Sequence, residues 1–95
     1  MNERVAMIDQ RLRAAFRTED ISIRDDSHLH AGHAGARAGG GHYQVRIVSA
    51  DFAGKRTLER HRLVYQALDD MMRPDTIHAL NIEALTPDET GAHKT

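Results

Sequence analysis

Residues 42–49 read HYQVRIVS, and this stretch sets the architecture of the rest. Tyr43, Val45 and Ile47 alternate with Gln44 and Arg46, so successive side chains fall on opposite faces of an extended chain. β-branched and aromatic residues dominate the apolar face, which predicts a half-buried strand. Immediately downstream, Asp51-Phe52-Ala53-Gly54-Lys55 carries turn chemistry. A helix is then predicted over 57–72 with Thr57 as N-cap. Leu58, Val64, Leu68 and Met71 or Met72 mark its inward face, and His61 lies close to it. Pro74 ends it, because the residue before proline disfavours helical backbone. Residues 77–85, IHALNIEAL, form a further strand. Leu58, Val64, Leu68, Leu80 and Ile82 are expected in the core.

Upstream, residues 20–26 alternate Ile21 and Ile23 with Ser22 and Arg24, and Asp25-Asp26 closes that strand. Residues 2–16 place Val5, Ile8, Leu12 and Phe16 at helical spacing, with Asn2 as candidate cap and Glu3 in the first turn. Between the first two strands lies SHLHAGHAGARAGGG, residues 27–41, which holds most of the chain's seven glycines and no apolar period. A loop of that length inside a small domain is commonly functional or disordered. The order helix, strand, strand, helix, strand predicts an α+β sandwich. Helices cover one face of a three-stranded mixed sheet, strands one and two antiparallel, strands two and three parallel across a right-handed crossover. One domain over 1–87 is expected, with 88–95 a polar, disordered tail.

Composition narrows the chemistry. Thirteen Lys and Arg stand against fourteen Asp and Glu, a formal net charge of −1, which argues against strong non-specific nucleic-acid binding. There is no cysteine, so disulfides and thiol catalysis are excluded, and any metal must be held by His, Asp or Glu or by sulfur from a partner. No apolar run approaches transmembrane length and the start of the chain has no secretory signal pattern, so a cytoplasmic protein without membrane association is expected. No G-x-S-x-G, Walker A, H-E-x-x-H or dinucleotide fingerprint occurs, and a non-enzymatic role is expected.

Seven histidines are present, four of them (His28, His30, His33, His42) in or beside the glycine-rich loop and three (His61, His78, His93) elsewhere. His28-x-His30-x-x-His33 also has the look of a weak zinc site, on a segment with little preorganisation. His42 reads as structural, His78 as strand surface and His93 as tail. Lys55, Arg56, Arg60, Arg62 and Arg46 read either as a solvated face or as a basic surface for nucleic acid.

The turn F-x-G at 52–54 followed by RHRLVY at 60–65, after HYQVRIVS, resembles the BolA family, and the similarity extends over roughly 1–87. The resemblance implies a class II KH-like fold and partnership with a monothiol glutaredoxin. In such heterodimers a [2Fe–2S] cluster takes thiolates from glutaredoxin and glutathione and a histidine from the BolA-like partner. By position in the motif that histidine is His61, and a second ligand position on the loop maps onto His30, with His33 the alternative. Imidazole in place of thiolate makes such a cluster less anionic and raises its potential, and ligation requires the neutral ring. The resemblance also admits a DNA-binding transcriptional regulator, with Lys55, Arg56, Arg60 and Arg62 on phosphates, although the G-x-x-G loop of nucleic-acid-binding KH domains is missing from the 52–55 turn. A homodimer in the apo state is compatible with it. The roles implied are iron–sulfur cluster handling or iron sensing.

Overall fold

The central strand is where the two periodicities of the sequence meet. In the computed structural model, which describes residues 3–18, 20–27, 41–73 and 76–90, β2 (Gly41–Val48) lies between β1 (Asp20–Asp25) and β3 (Ile77–Leu85). Its odd-numbered residues Tyr43, Val45 and Ile47 are buried, while His42, Gln44 and Arg46 are only half-covered. The alternation follows from one face of the sheet being layered by helices and the other open. β1 pairs antiparallel with β2, Ile23 opposite Val45 and Ile21 opposite Ile47. β3 pairs parallel with β2, Tyr43 opposite Leu80, Val45 opposite Ile82 and Ile47 opposite Ala84. The predicted α+β architecture and both strand directions are thus observed.

The helical layer is α1 (Glu3–Ala15) and α2 (Thr57–Leu68), which pack on each other and on the sheet. Val5, Ile8, Leu12 and Phe16 from the first segment join Val64, Leu68 and Met71 from the second, and with the inner face of β2 they make one core. The F-x-G turn has a clear structural basis. Phe52 is fully buried against Phe16, ring centroids 5.0 Å apart, and Gly54 takes φ +75°, a left-handed conformation that a side chain would strain. A one-turn 3-10 helix (Ala50–Phe52) delivers Phe52 into that position.

Three details depart from the sequence expectations. The cap of α2 is Arg56 rather than Thr57: the Arg56 backbone N–H donates to Glu59 Oε1 at 3.0 Å, which is the carboxylate half of a capping box. The α-helix ends at Leu68 and continues only as a 3-10 turn, Asp69–Met71, because Asp69 adopts φ +43° and leaves helical backbone well before Pro74. Arg11 of α1 donates to the Leu68 carbonyl at 3.1 Å and to Asp70 at 2.8 Å, binding the exposed end of α2 to α1. Finally, Leu58 is 61% exposed, not core. It is a third of a turn off the stripe formed by Val64 and Leu68, given 100° per residue. Leu80 and Ile82 pack against the core but are only partly buried, as β3 is a sheet margin.

At the C-terminal end, Pro87–Glu89 form another 3-10 turn. Residues 88–90, assigned to the tail from the sequence, lie in or beside this turn, while 91–95, including His93, lie outside the described residues, as does the candidate cap Asn2. Among the described residues no helix is long and apolar enough to cross a membrane.

Candidate metal centre

Parallel pairing brings the starts of β2 and β3 side by side, and each strand carries a histidine there. The register slips by one residue between Gly41 and His42, so that Gly41 faces Ile77 and His42 faces Ala79. His78 is the extra residue of this bulge, a feature that re-aims a side chain. Its exposed ring lies 5.2 Å from that of His42, centroid to centroid, at an interplanar angle of 52°. Beside the pair is a depression of about 250 Å³ lined by Asp26, His42, Gln44, Ala79 and Asn81 among others.

The backbone at this corner is held on several sides. The His42 N–H donates to Ser27 Oγ at 3.0 Å, and the Asp26 N–H donates to the His42 carbonyl at 2.7 Å. Asp25 accepts the Ser27 N–H at 2.9 Å, and the Gly41 N–H reaches the Thr76 carbonyl at 3.0 Å. Asp26 is itself buried and receives both ends of the Arg24 guanidinium, at 2.8 and 3.2 Å. The acidic pair read as a strand terminator therefore builds the base from which the histidine-rich segment departs. His28, His30 and His33 lie outside the described residues.

His61 occupies a different place. It is half-buried on the same helical stripe as Val64 and Leu68. Its neighbour Arg60 donates to the carbonyl of Ala84, at the far end of β3 from His78. Those ends are roughly six residue steps apart along the strand, about 20 Å at about 3.3 Å per residue. The structure therefore brings His42 and His78 together at the loop base and places His61 on the helix, away from that pair. The missed signal was available: two strands expected to run parallel each carry a histidine within their first two residues.

The basic residues also separate. The Arg60 side chain is 12% exposed, bonded to the carbonyls of Lys55 (2.8 Å) and Ala84 (3.0 Å) and paired at both nitrogens with Glu89. It is a structural clamp, not a free surface cation. Arg56 and Arg62 are exposed and Lys55 is half-exposed. On the open face of the sheet Arg46 sits between Asp20 (3.5 Å) and Glu83 (3.3 Å), so its charge is compensated.

Among the described residues no group of three or more His, Asp or Glu forms a metal cage, and the chain has no cysteine. Two adjacent imidazoles are a partial donor set. Of the two, His78 is exposed while Nε2 of His42 is buried, so His78 is the imidazole that fits an iron centre whose remaining ligands come from elsewhere.

A family model described as BolA-like protein matches residues 12–89. The chain is 35% identical over 83 residues to the DNA-binding transcriptional regulator BolA of Haemophilus influenzae, covering 87% of this chain and 77% of that protein. It is 37% identical over 94 residues to SufE-like protein 1, chloroplastic/mitochondrial, of Arabidopsis thaliana, covering 94% of this chain but only 25% of that longer protein. The solved BolA domain of SufE1 from Arabidopsis thaliana superposes with a TM-score of 0.81 at 36% identity, over 95% of this chain and 99% of that one.

Proposed function

The chain belongs to the BolA family, and we propose that it acts as a non-catalytic partner of a monothiol glutaredoxin, lending histidine to a [2Fe–2S] cluster otherwise held by glutaredoxin and glutathione thiolates. The observation that carries this reading is the His42–His78 pair at the base of the histidine-rich segment. His78 is exposed on a strand bulge, and the backbone of His42 is tied on both sides, so neither position needs much ordering to meet a partner. His78 takes the strand ligand position in place of His61, whose helix stripe serves packing. His30 or His33 takes the loop position, on the segment that starts beside Ser27. The chain's residues bind and orient; the cluster, when bound, supplies one-electron redox chemistry and iron and sulfide for transfer.

The test is reconstitution of the heterodimer from this chain, a monothiol glutaredoxin, glutathione and iron and sulfide, read by visible absorption and circular dichroism. His78→Ala is expected to abolish the mixed-cluster spectrum or return it to that of the glutaredoxin homodimer. His30→Ala should shift it, and His61→Ala should leave it intact as long as the far-ultraviolet spectrum stays native. Acidification should weaken assembly, because a protonated imidazole has no lone pair to give. Loss with His61→Ala but not with His78→Ala would move the ligand to the helix. Absence of any mixed cluster with the wild-type chain would remove the reading.

A second reading, favoured by the name of the Haemophilus relative, is a DNA-binding regulator contacting phosphates through Lys55, Arg56 and Arg62, with Arg60 withdrawn into the fold. Its affinity must fall steeply with salt, and no duplex retained at about 50 mM salt would rule it out.

A further inference from the structure

The sheet order leaves β3 at a margin, and at nine residues it is the longest strand of the three. The Leu85 carbonyl accepts from Ser49 N–H at 2.8 Å, so the peptide groups of Leu85, Glu83 and Asn81 face β2. Those of Leu80, Ile82 and Ala84 must then face outward, since alternate residues of a strand bond to opposite sides. Ala84 agrees, its carbonyl being taken by Arg60 rather than by β2. No other strand of the described residues lies beyond Leu80 and Ile82. An uncovered edge of this kind, with half-buried apolar side chains, is a template for another strand.

The sequence of that edge says which strand fits it. IHALNIEAL is close to a palindrome about Asn81. Laid antiparallel on itself over the stretch that Arg60 does not cap, Leu80 faces Ile82 of the other copy and Ala79 faces Glu83. Apolar meets apolar, Glu83 meets alanine, Asn81 meets Asn81 and no like charges oppose, so the register holds apolar pairs and no repulsive one. Leu80 and Ile82, whose peptides face outward, fall in the hydrogen-bonded pairs, and Asn81 falls in the closely spaced pair on the axis. An isologous contact requires this self-complementarity, whereas a foreign strand does not. We propose that the outer edge of β3 pairs antiparallel with the same edge of a second copy, joining two three-stranded sheets into one sheet of six with Asn81 on the two-fold axis. The Glu83 side chain, also held by Arg46, then lies over Ala79 of the other copy on the open face.

Two measurements on the full chain test this. Because the protein lacks cysteine, Asn81→Cys introduces a single thiol, and a closely spaced antiparallel pair has Cα atoms about 4.5 Å apart, within disulfide range. Mild oxidation should convert Asn81→Cys to a covalent dimer much faster than Ser22→Cys, which places an exposed thiol on the opposite strand of the sheet. Sedimentation equilibrium should show a concentration-dependent wild-type dimer. Ala79→Lys, which places a cation opposite each Glu83, should tighten it and Ala79→Glu should loosen it, the two differing by about tenfold or more in dissociation constant. A monomer at every concentration up to about 1 mM, equal oxidation of the two thiols, or a dimer indifferent to both Ala79 substitutions would overturn the proposal. Protection of the Leu80 and Ile82 amides only on addition of glutaredoxin would assign the edge to a foreign strand and overturn it equally.

Discussion

Gly41 ends the glycine-rich segment and begins β2, and it differs in kind from the glycines before it. A Cβ built there would overlap the ring of Tyr43, which is buried over that point of the strand. The ring stands in for the missing side chain, so glycine is required by a close approach rather than by a turn. Gly41→Ala should force the Tyr43 ring out of place and cost about 1–3 kcal/mol, the usual range for overpacking, as measured by chemical denaturation. A loss below about 0.5 kcal/mol would mean the ring moves aside freely. Composition alone marks Gly41 as one more loop glycine. Its distinct role depends on a ring packed over it by tertiary contacts.

Among the elements, α2 shows how far a periodicity can be trusted. Val64 and Leu68 are both fully buried, as their spacing predicts, while Leu58 stands in solvent. Leu68→Ala should therefore cost about 2–5 kcal/mol, and Leu58→Ala should stay within about 0.5 kcal/mol in the same denaturation assay. Comparable losses at the two positions would mean that the helix is rotated from the orientation described. The helix boundary was legible only to within a turn, because the residue that breaks it, Asp69, does so by adopting φ +43° under contacts from α1. Strand β3 was legible in place and direction. Its partial burial depends on its marginal position in the sheet, which no window of its own residues encodes.

At the scale of the whole molecule, the ion pair of Arg60 and Glu89 ties α2, the end of β3 and the C-terminal turn into one body. Hydrogen bonds from Arg60, followed by the Thr86 backbone N–H at 2.9 Å, lower the Glu89 carboxyl from its ordinary 4.5 to about 2. A carboxyl depressed in the fold stabilises it fully above its unfolded value. That stabilisation is lost as pH falls through the window from about 4.5 toward about 2, because the unfolded chain takes up the proton first. Asp70, lowered by Arg11, adds to the same trend. Glu89→Gln should lower stability near neutral pH, and the gap from wild type should narrow as pH falls from about 4.5 and close toward about pH 2. A gap that persists unchanged at low pH would show that the carboxylate charge contributes nothing.

What the sequence alone determined is the set of elements, the faces of β1 and β2, the mixed sheet and the family. Each of these rests on periods of two or of three to four residues, or on contiguous motifs, and such signals are local. The tertiary structure alone decided which distant side chains meet. His42 and His78 adjoin because β2 and β3 are parallel and one residue out of register at their starts. His61, central to the motif, is carried toward the other end because its helix runs back across the sheet. Arg60 reads in sequence as a surface cation and becomes a clamp only once β3 and the C-terminal turn close around it. Register, crossing and closure depend on contacts between segments far apart in the chain, and short-range periodicity carries no record of them.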